Sequence, residues 1–81
     1  MKHDTPVKRM AFKNRRKFFN LTQREVANAV GVTENHIRHI EAGRANPDAK
    51  LLFKLVKYLK TTAEELFPDL AEVEIEPAGS I

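Results

Sequence analysis

The chain has no cysteine and no tryptophan. Without cysteine it can build neither a disulfide framework nor a thiolate zinc site, and it has no sulfur nucleophile. The absence suits a reducing compartment, and a cytoplasmic location is expected. No apolar run approaches the ~18 residues that a membrane span requires, and Met1-Lys2-His3-Asp4-Thr5-Pro6 lacks the apolar stretch of a signal peptide, so no membrane partner is expected. Glycine is scarce, with three residues, and none belongs to a phosphate-cradling loop. No nucleophile is paired with a base, and 81 residues give too small a core to wall a substrate pocket, so an enzyme is not expected. His36 and His39 lie one helical turn apart with no third ligand at a regular spacing, so neither a metal nor any other cofactor is expected.

Acidic residues are scarce too, but only in part of the chain. Residues 1–60 hold all 14 Lys and Arg against five acids, a balance of +9, whereas residues 61–81 hold six acids and no Lys or Arg. A basic body with an acidic tail points to a polyanionic partner for the body. The 42% hydrophobic content is ordinary for a folded soluble protein. A chain this short buries only about 60% of its unfolded surface, which leaves room for one small domain.

Helix signals recur along the body. Thr22-Gln23-Arg24-Glu25 and Thr62-Ala63-Glu64-Glu65 read as capping boxes, Thr33 as a plain N-cap, and Pro47-Asp48 as a further start. Asn20, Gly31 and Gly43 are suited to left-handed stops, and Pro68 is expected to close the last element. These signals predict five helices, near residues 7–19, 22–29, 33–42, 48–60 and 63–67, and no strand: an all-α domain. Three stripes at helical period supply its core, namely Val26, Ala27 and Val30; Ile37 and Ile40; and Leu51, Leu52, Leu55, Val56 and Leu59.

Residues 22–41 carry a more specific pattern. Ala27 is small where two helices must approach, Gly31 four positions later permits a tight turn, and Val32 plugs the corner. Thr33 then restarts the helix, and Ile37 and Ile40 anchor it to the core. This spacing meets the needs of a helix-turn-helix, whose second helix projects from the body. The major groove of B-DNA, about 12 Å wide, admits one such helix.

The sequence resembles the Cro and phage-repressor, or Xre-type, helix-turn-helix regulators. The resemblance rests on Arg16-Lys17-Phe18-Phe19-Asn20-Leu21-Thr22-Gln23, Val26-Ala27, Val30-Gly31-Val32-Thr33, Ile37, Ile40-Glu41-Ala42-Gly43-Arg44, Asn46-Pro47, Leu55, Leu59 and Leu66-Phe67, and spans roughly residues 7–68. Asn20 replaces a frequent Gly, Arg15 takes a usually apolar position, and Val26 stands where Leu is commoner. Arg15 is expected to stay half exposed and to add to the basic face. The implied organisation is an N-terminal arm over 1–6, a five-helix helix-turn-helix domain over 7–68 and an acidic tail over 69–81.

The resemblance implies sequence-specific binding of double-stranded DNA for transcriptional regulation, as a repressor and homodimer on a palindromic operator. Gln23 matches the family's phosphate-contacting Gln. Glu34, Asn35, Arg38 and His39 become base readers: Glu34 for cytosine N4, Asn35 for adenine, Arg38 for guanine O6 and N7. Thr33 and His36, nearer the backbone, and Arg44 and Asn46, after the recognition helix, become phosphate ligands. The bland alternative for each is a solvated polar helix face. Arg16 and Glu41 match an ion pair that this family often places between helix one and the end of helix three, a structural role.

A dimer surface is expected at Leu66, Phe67 and Leu70 and along Glu72-Val73-Glu74-Ile75-Glu76, where Val73 and Ile75 alternate at the period of a strand. The acids of this stretch would repel their two-fold copies, so a solvated tail or a segment that binds a protein partner also fits. The competing function is a DNA-binding antitoxin whose acidic tail occupies a toxin.

Overall fold

The computed structural model describes residues 8–71. The expected arm over 1–6 and the stretch 72–81, with Val73 and Ile75, lie outside them. The described residues form α1 (Met10–Phe18), α2 (Gln23–Val30), α3 (Glu34–Glu41), α4 (Ala49–Tyr58), α5 (Ala63–Leu66) and α6 (Pro68–Ala71), with no strand among them. None of these helices is long and apolar enough to cross a membrane.

Side-chain oxygens start most of the helices. Thr22 Oγ1 accepts from the Glu25 N–H at 3.0 Å while the Thr22 N–H donates to Glu25 Oε1 at 2.8 Å, a complete capping box. Thr33 Oγ1 accepts from the His36 N–H, and Asp48 Oδ1 from the Leu51 N–H. The second expected box forms only by half. Thr62 Oγ1 accepts from the Glu65 N–H, but the Glu65 carboxylate turns to the Thr61 hydroxyl at 2.8 Å.

The sixth helix corrects the reading of Pro68. Proline disfavours the helical conformation of the residue before it, and Phe67 accordingly sits at φ −130, ψ 66, which breaks the chain after α5. Pro68 then opens α6 rather than closing the fold, because its missing N–H is an orphan at a first helical position in any case. Asp69, Leu70 and Ala71 thereby join the helical body.

Three helices end in one motif. After α1, the Leu21 N–H reaches Arg16 O and the Asn20 N–H reaches Lys17 O, with Asn20 at φ 58. After α3, Arg44 and Gly43 bond His39 O and Ile40 O; after α4, Thr61 and Lys60 bond Val56 O and Lys57 O. These are Schellman caps, whose central residue must be left-handed. Lys60 holds that position at φ 56 despite its Cβ. Lys60→Gly is therefore expected to stabilise the domain by about 0.5 to 1 kcal/mol, net of the entropy glycine adds to the unfolded chain. A thermal melt should show a rise of a few degrees, and an unchanged or lower Tm would contradict the strain argument.

The core gathers Phe12, Val26, Ala27, Val30, Ile37, Ile40, Leu51, Leu55, Leu59, Leu66 and Phe67. Each large member contributes about 1.5 to 3 kcal/mol by burial. The α2–α3 contact is the most extensive between any two helices, and buried Ala27 lets them approach. Gly31, at φ 79, makes the turn between them, with its N–H and that of Val32 both donating to Ala27 O. A Cβ added to Gly31 would meet nothing within 4 Å, so backbone conformation, not space, requires glycine here.

Candidate nucleic-acid interface

The direction of α3 decides what this surface can do. Ile37, Ile40 and Glu41 face inward, while Asn35, Arg38 and His39 are exposed and Glu34 and His36 are half-exposed. The polar side chains stand on an eight-residue helix whose opposite side is locked into the core.

They are not independent of one another. Arg38 Nη1 donates to Asn35 Oδ1 at 2.8 Å, Arg38 Nη2 lies 3.5 Å from Glu34 Oε2, and Arg24 Nε lies 3.3 Å from Glu34 Oε1. Arg24 on α2 and Arg38 on α3 thus share one carboxylate. A bidentate contact of Asn35 with adenine needs both the amide oxygen and the amide nitrogen. Arg38 Nη1 and the adenine amino group would share the two lone pairs of Asn35 Oδ1, which couples the two positions.

Gln23, the first residue of α2, is half-exposed and lines a groove of about 430 Å³ together with Lys8, Lys13, Arg38 and Glu41. Arg9 lines the recess too but is engaged with Ile40 O and other acceptors, and the Glu41 carboxylate is held by Arg16, so Lys8, Lys13, Arg38 and the Gln23 amide are the groups it offers a phosphate. Thr33 Oγ1 is engaged as an acceptor at the N-cap of α3, which leaves its hydroxyl free to donate. Arg44 is exposed, immediately beyond the α3 cap.

Arg16 and Glu41 are joined by two parallel bonds, Nε to Oε1 and Nη2 to Oε2, each 2.9 Å, while Nη1 donates to Leu21 O at 2.8 Å. Both residues are 9% exposed. The pair ties the last residue of α3 to α1.

The structure alters the expectation for three residues. Arg15 is only half-buried, but its guanidinium donates to Leu59 O at 2.7 Å and Lys60 O at 2.6 Å and stacks about 5 Å from the Phe18 and Phe19 rings. It caps the negative end of α4 instead of adding to the basic face. Leu66 and Phe67 are each 1% exposed, so neither has area to lend to a dimer. Leu70 is half-buried against the core.

Sequence reasoning missed Arg9. It is 4% exposed, and all five guanidinium N–H groups are engaged. Nη1 donates to Ile40 O and Ala45 O at 2.9 and 2.8 Å, Nη2 to Asn46 Oδ1 at 2.6 Å, and Nε and Nη2 to the Asp69 carboxylate at 3.0 to 3.2 Å. Its backbone N–H donates to Glu41 O at 3.0 Å. Nothing local in the sequence marks an arginine whose partners lie 31 to 60 residues away.

Fold and site together define a helix-turn-helix module with a polar second helix. The family model described as Helix-turn-helix matches residues 12–66, and the chain belongs to this family, of the Xre and phage-repressor type. An uncharacterized HTH-type transcriptional regulator from Archaeoglobus fulgidus is 37% identical over 59 residues, covering 73% of this chain and 83% of that protein. A second such regulator, from Methanocaldococcus jannaschii, is also 37% identical over 59 residues, covering 68% of this chain and 89% of its own. The DNA-binding domain of the P22 c2 repressor superposes with a TM-score of 0.67 at 25% identity, covering 89% of this chain and 96% of that domain. The restriction-modification controller protein C.AhdI from Aeromonas hydrophila shares the fold, with a TM-score of 0.65 at 24% identity over 72% of this chain and 88% of that one.

Proposed function

We propose that this protein is a transcriptional regulator that binds double-stranded DNA sequence-specifically by inserting α3 into the major groove. The observation that carries the reading is the exposed set Asn35, Arg38 and His39, with half-exposed Glu34, on a helix locked to the core by Ile37 and Ile40. The relatives are described as transcriptional regulators, and the P22 domain as DNA-binding. Base reading falls to Glu34, Asn35, Arg38 and His39, and backbone contact to Gln23, Thr33, His36, Arg44 and Asn46.

The finer reading is a repressor that binds as a two-fold dimer on palindromic half-sites about 34 to 36 Å apart, since one module reads few base pairs. With Leu66 and Phe67 consumed by the core, Leu70 is the member of the expected dimer surface that keeps exposed area among the described residues. Sedimentation of the full chain at concentrations well above those needed for DNA binding tests the dimer, and a monomer there would refute it. Neither the described residues nor the relatives reported favour an antitoxin.

Selection of bound duplexes from random DNA tests the reading as a whole, and it fails if no selected duplex outcompetes bulk DNA. On the selected duplex, Arg44→Ala should flatten the log-log dependence of affinity on salt by about one contact, a slope of about 0.9. Arg38→Ala should instead relax preference at one base pair, at a cost of about 1 to 3 kcal/mol.

A further inference from the structure

We propose that Arg9 is a positioning residue for DNA binding: anchored by Asp69, it fixes the carboxyl end of α3 and turns the amide nitrogen of Asn46 outward as a donor to a DNA phosphate. The inference rests on the DNA-binding reading and adds to it a residue that does not itself meet DNA.

A primary amide can offer a ligand either its oxygen or its nitrogen. Arg9 Nη2 occupies the Asn46 oxygen at 2.6 Å, so the free end of this exposed side chain is the NH2 group. That orientation suits phosphate, which only accepts. The same guanidinium takes Ile40 O on α3 and Ala45 O in the following loop, and the backbone N–H of Arg9 takes Glu41 O. These carbonyls bracket the segment that carries Arg44 and Asn46. One rigid fork therefore sets the end of the recognition helix and the start of the loop beyond it.

Asp69 holds the fork in place. Its carboxylate lies 3.0 to 3.2 Å from Nε and Nη2, and the Phe67 ring lies 5.1 Å from the guanidinium carbon. Asp69 comes from α6, remote in sequence from every candidate DNA contact. Its side chain is 31% exposed while that of Arg9 is 3% exposed, so an isosteric amide there should lower stability but still leave the guanidinium one acceptor oxygen.

The sign of one substitution separates positioning from simple electrostatics. Asp69→Asn makes the protein more basic, and charge alone predicts tighter binding to DNA. Loosening of Arg9 predicts weaker binding. With the full chain and the selected duplex, at a temperature where thermal melts show both proteins folded, Asp69→Asn should bind about fivefold more weakly. In an Asn46→Ala background that loss should shrink to the share carried by the end of α3 and Arg44, and a loss of undiminished size would remove Asn46 from the proposal. Asn46→Asp guards against a folding failure, because its carboxylate still accepts from Arg9 while the donor is gone. It should melt no lower than the parent yet bind about tenfold more weakly or worse. Binding by folded Asp69→Asn that equals or exceeds the parent, or by Asn46→Asp within twofold of it, overturns the proposal. If the parent chain itself enriches no duplex, the DNA-binding reading has failed instead.

Discussion

Truncating Glu41 to alanine is expected to destabilise the domain by about 3 to 5 kcal/mol, and Arg16→Ala by a similar amount. At about 0.05 to 0.15 kcal/mol per residue, a chain of this size has only about 4 to 12 kcal/mol in total. The loss comes less from the missing ion pair than from the charge left behind. Arg16 and Glu41 side chains are 11% and 10% exposed, so water cannot replace either partner. Without Glu41, the guanidinium keeps only Leu21 O among its three present acceptors. Cutting both residues to alanine removes both desolvation costs, so the double variant should lose less than the sum of the single losses. Urea unfolding of the four proteins measures this coupling, and strict additivity would refute it. Arg24–Glu34 is the contrasting case: Arg24 is 76% exposed, so breaking that pair should barely move stability.

Features of the fold that depend on residues three to five positions apart were legible in the sequence. Thr22 and Glu25 form a capping box because the partners are adjacent on one turn, and Asn20, with its short amide, and Gly43, with no Cβ, adopt the left-handed stops expected of them. The Ala27–Gly31–Ile37–Ile40 spacing gave the packing of α2 on α3, because it is one run of helical period interrupted once. The polar face of α3 followed from the same anchors. Legibility ended where a side chain chose among distant partners. Arg9 carries no local signal and Arg15 is expected on the basic face, yet both guanidinium groups bond carbonyls 31 to 45 residues on. Lys60 gave no sign of a left-handed backbone because its neighbours, not its type, impose it. Within the site, the sharing of Glu34 by Arg24 and Arg38 depends on how α2 crosses α3, which the pattern of residue types leaves open.

Phe67 gives the sharpest test of how the C-terminal end is used. A pair of large apolar residues late in a small chain suits either a core or a dimer contact, and hydrophobicity alone does not choose. The break that Pro68 imposes turns Phe67 into the body, where its ring lies 5.7 Å from that of Phe12, tilted by 47°, with the Arg9 guanidinium carbon 5.1 Å from its centroid. Phe67→Ala should therefore cost about 3 to 5 kcal/mol. The loss should include support for Arg9 as well as the cavity. Concentration separates the two uses of the residue. A side chain buried within one copy loses the same stability at every protein concentration, whereas a residue at a dimer contact yields a loss that changes as mass action drives assembly. Urea unfolding of the parent and of Phe67→Ala across a hundredfold range of concentration, about 2.7 kcal/mol of mass action, is expected to give parallel stabilities. Leu70→Ala should cost less than Phe67→Ala, because Leu70 is only half-buried. If the parent is a dimer through that surface, the loss at Leu70 should vary with concentration while that at Phe67 keeps its full monomeric component. A deficit in Phe67→Ala that is absent at low concentration and grows as concentration rises would place the ring in an interface after all, and would break the link from Pro68 through Phe67 to Arg9.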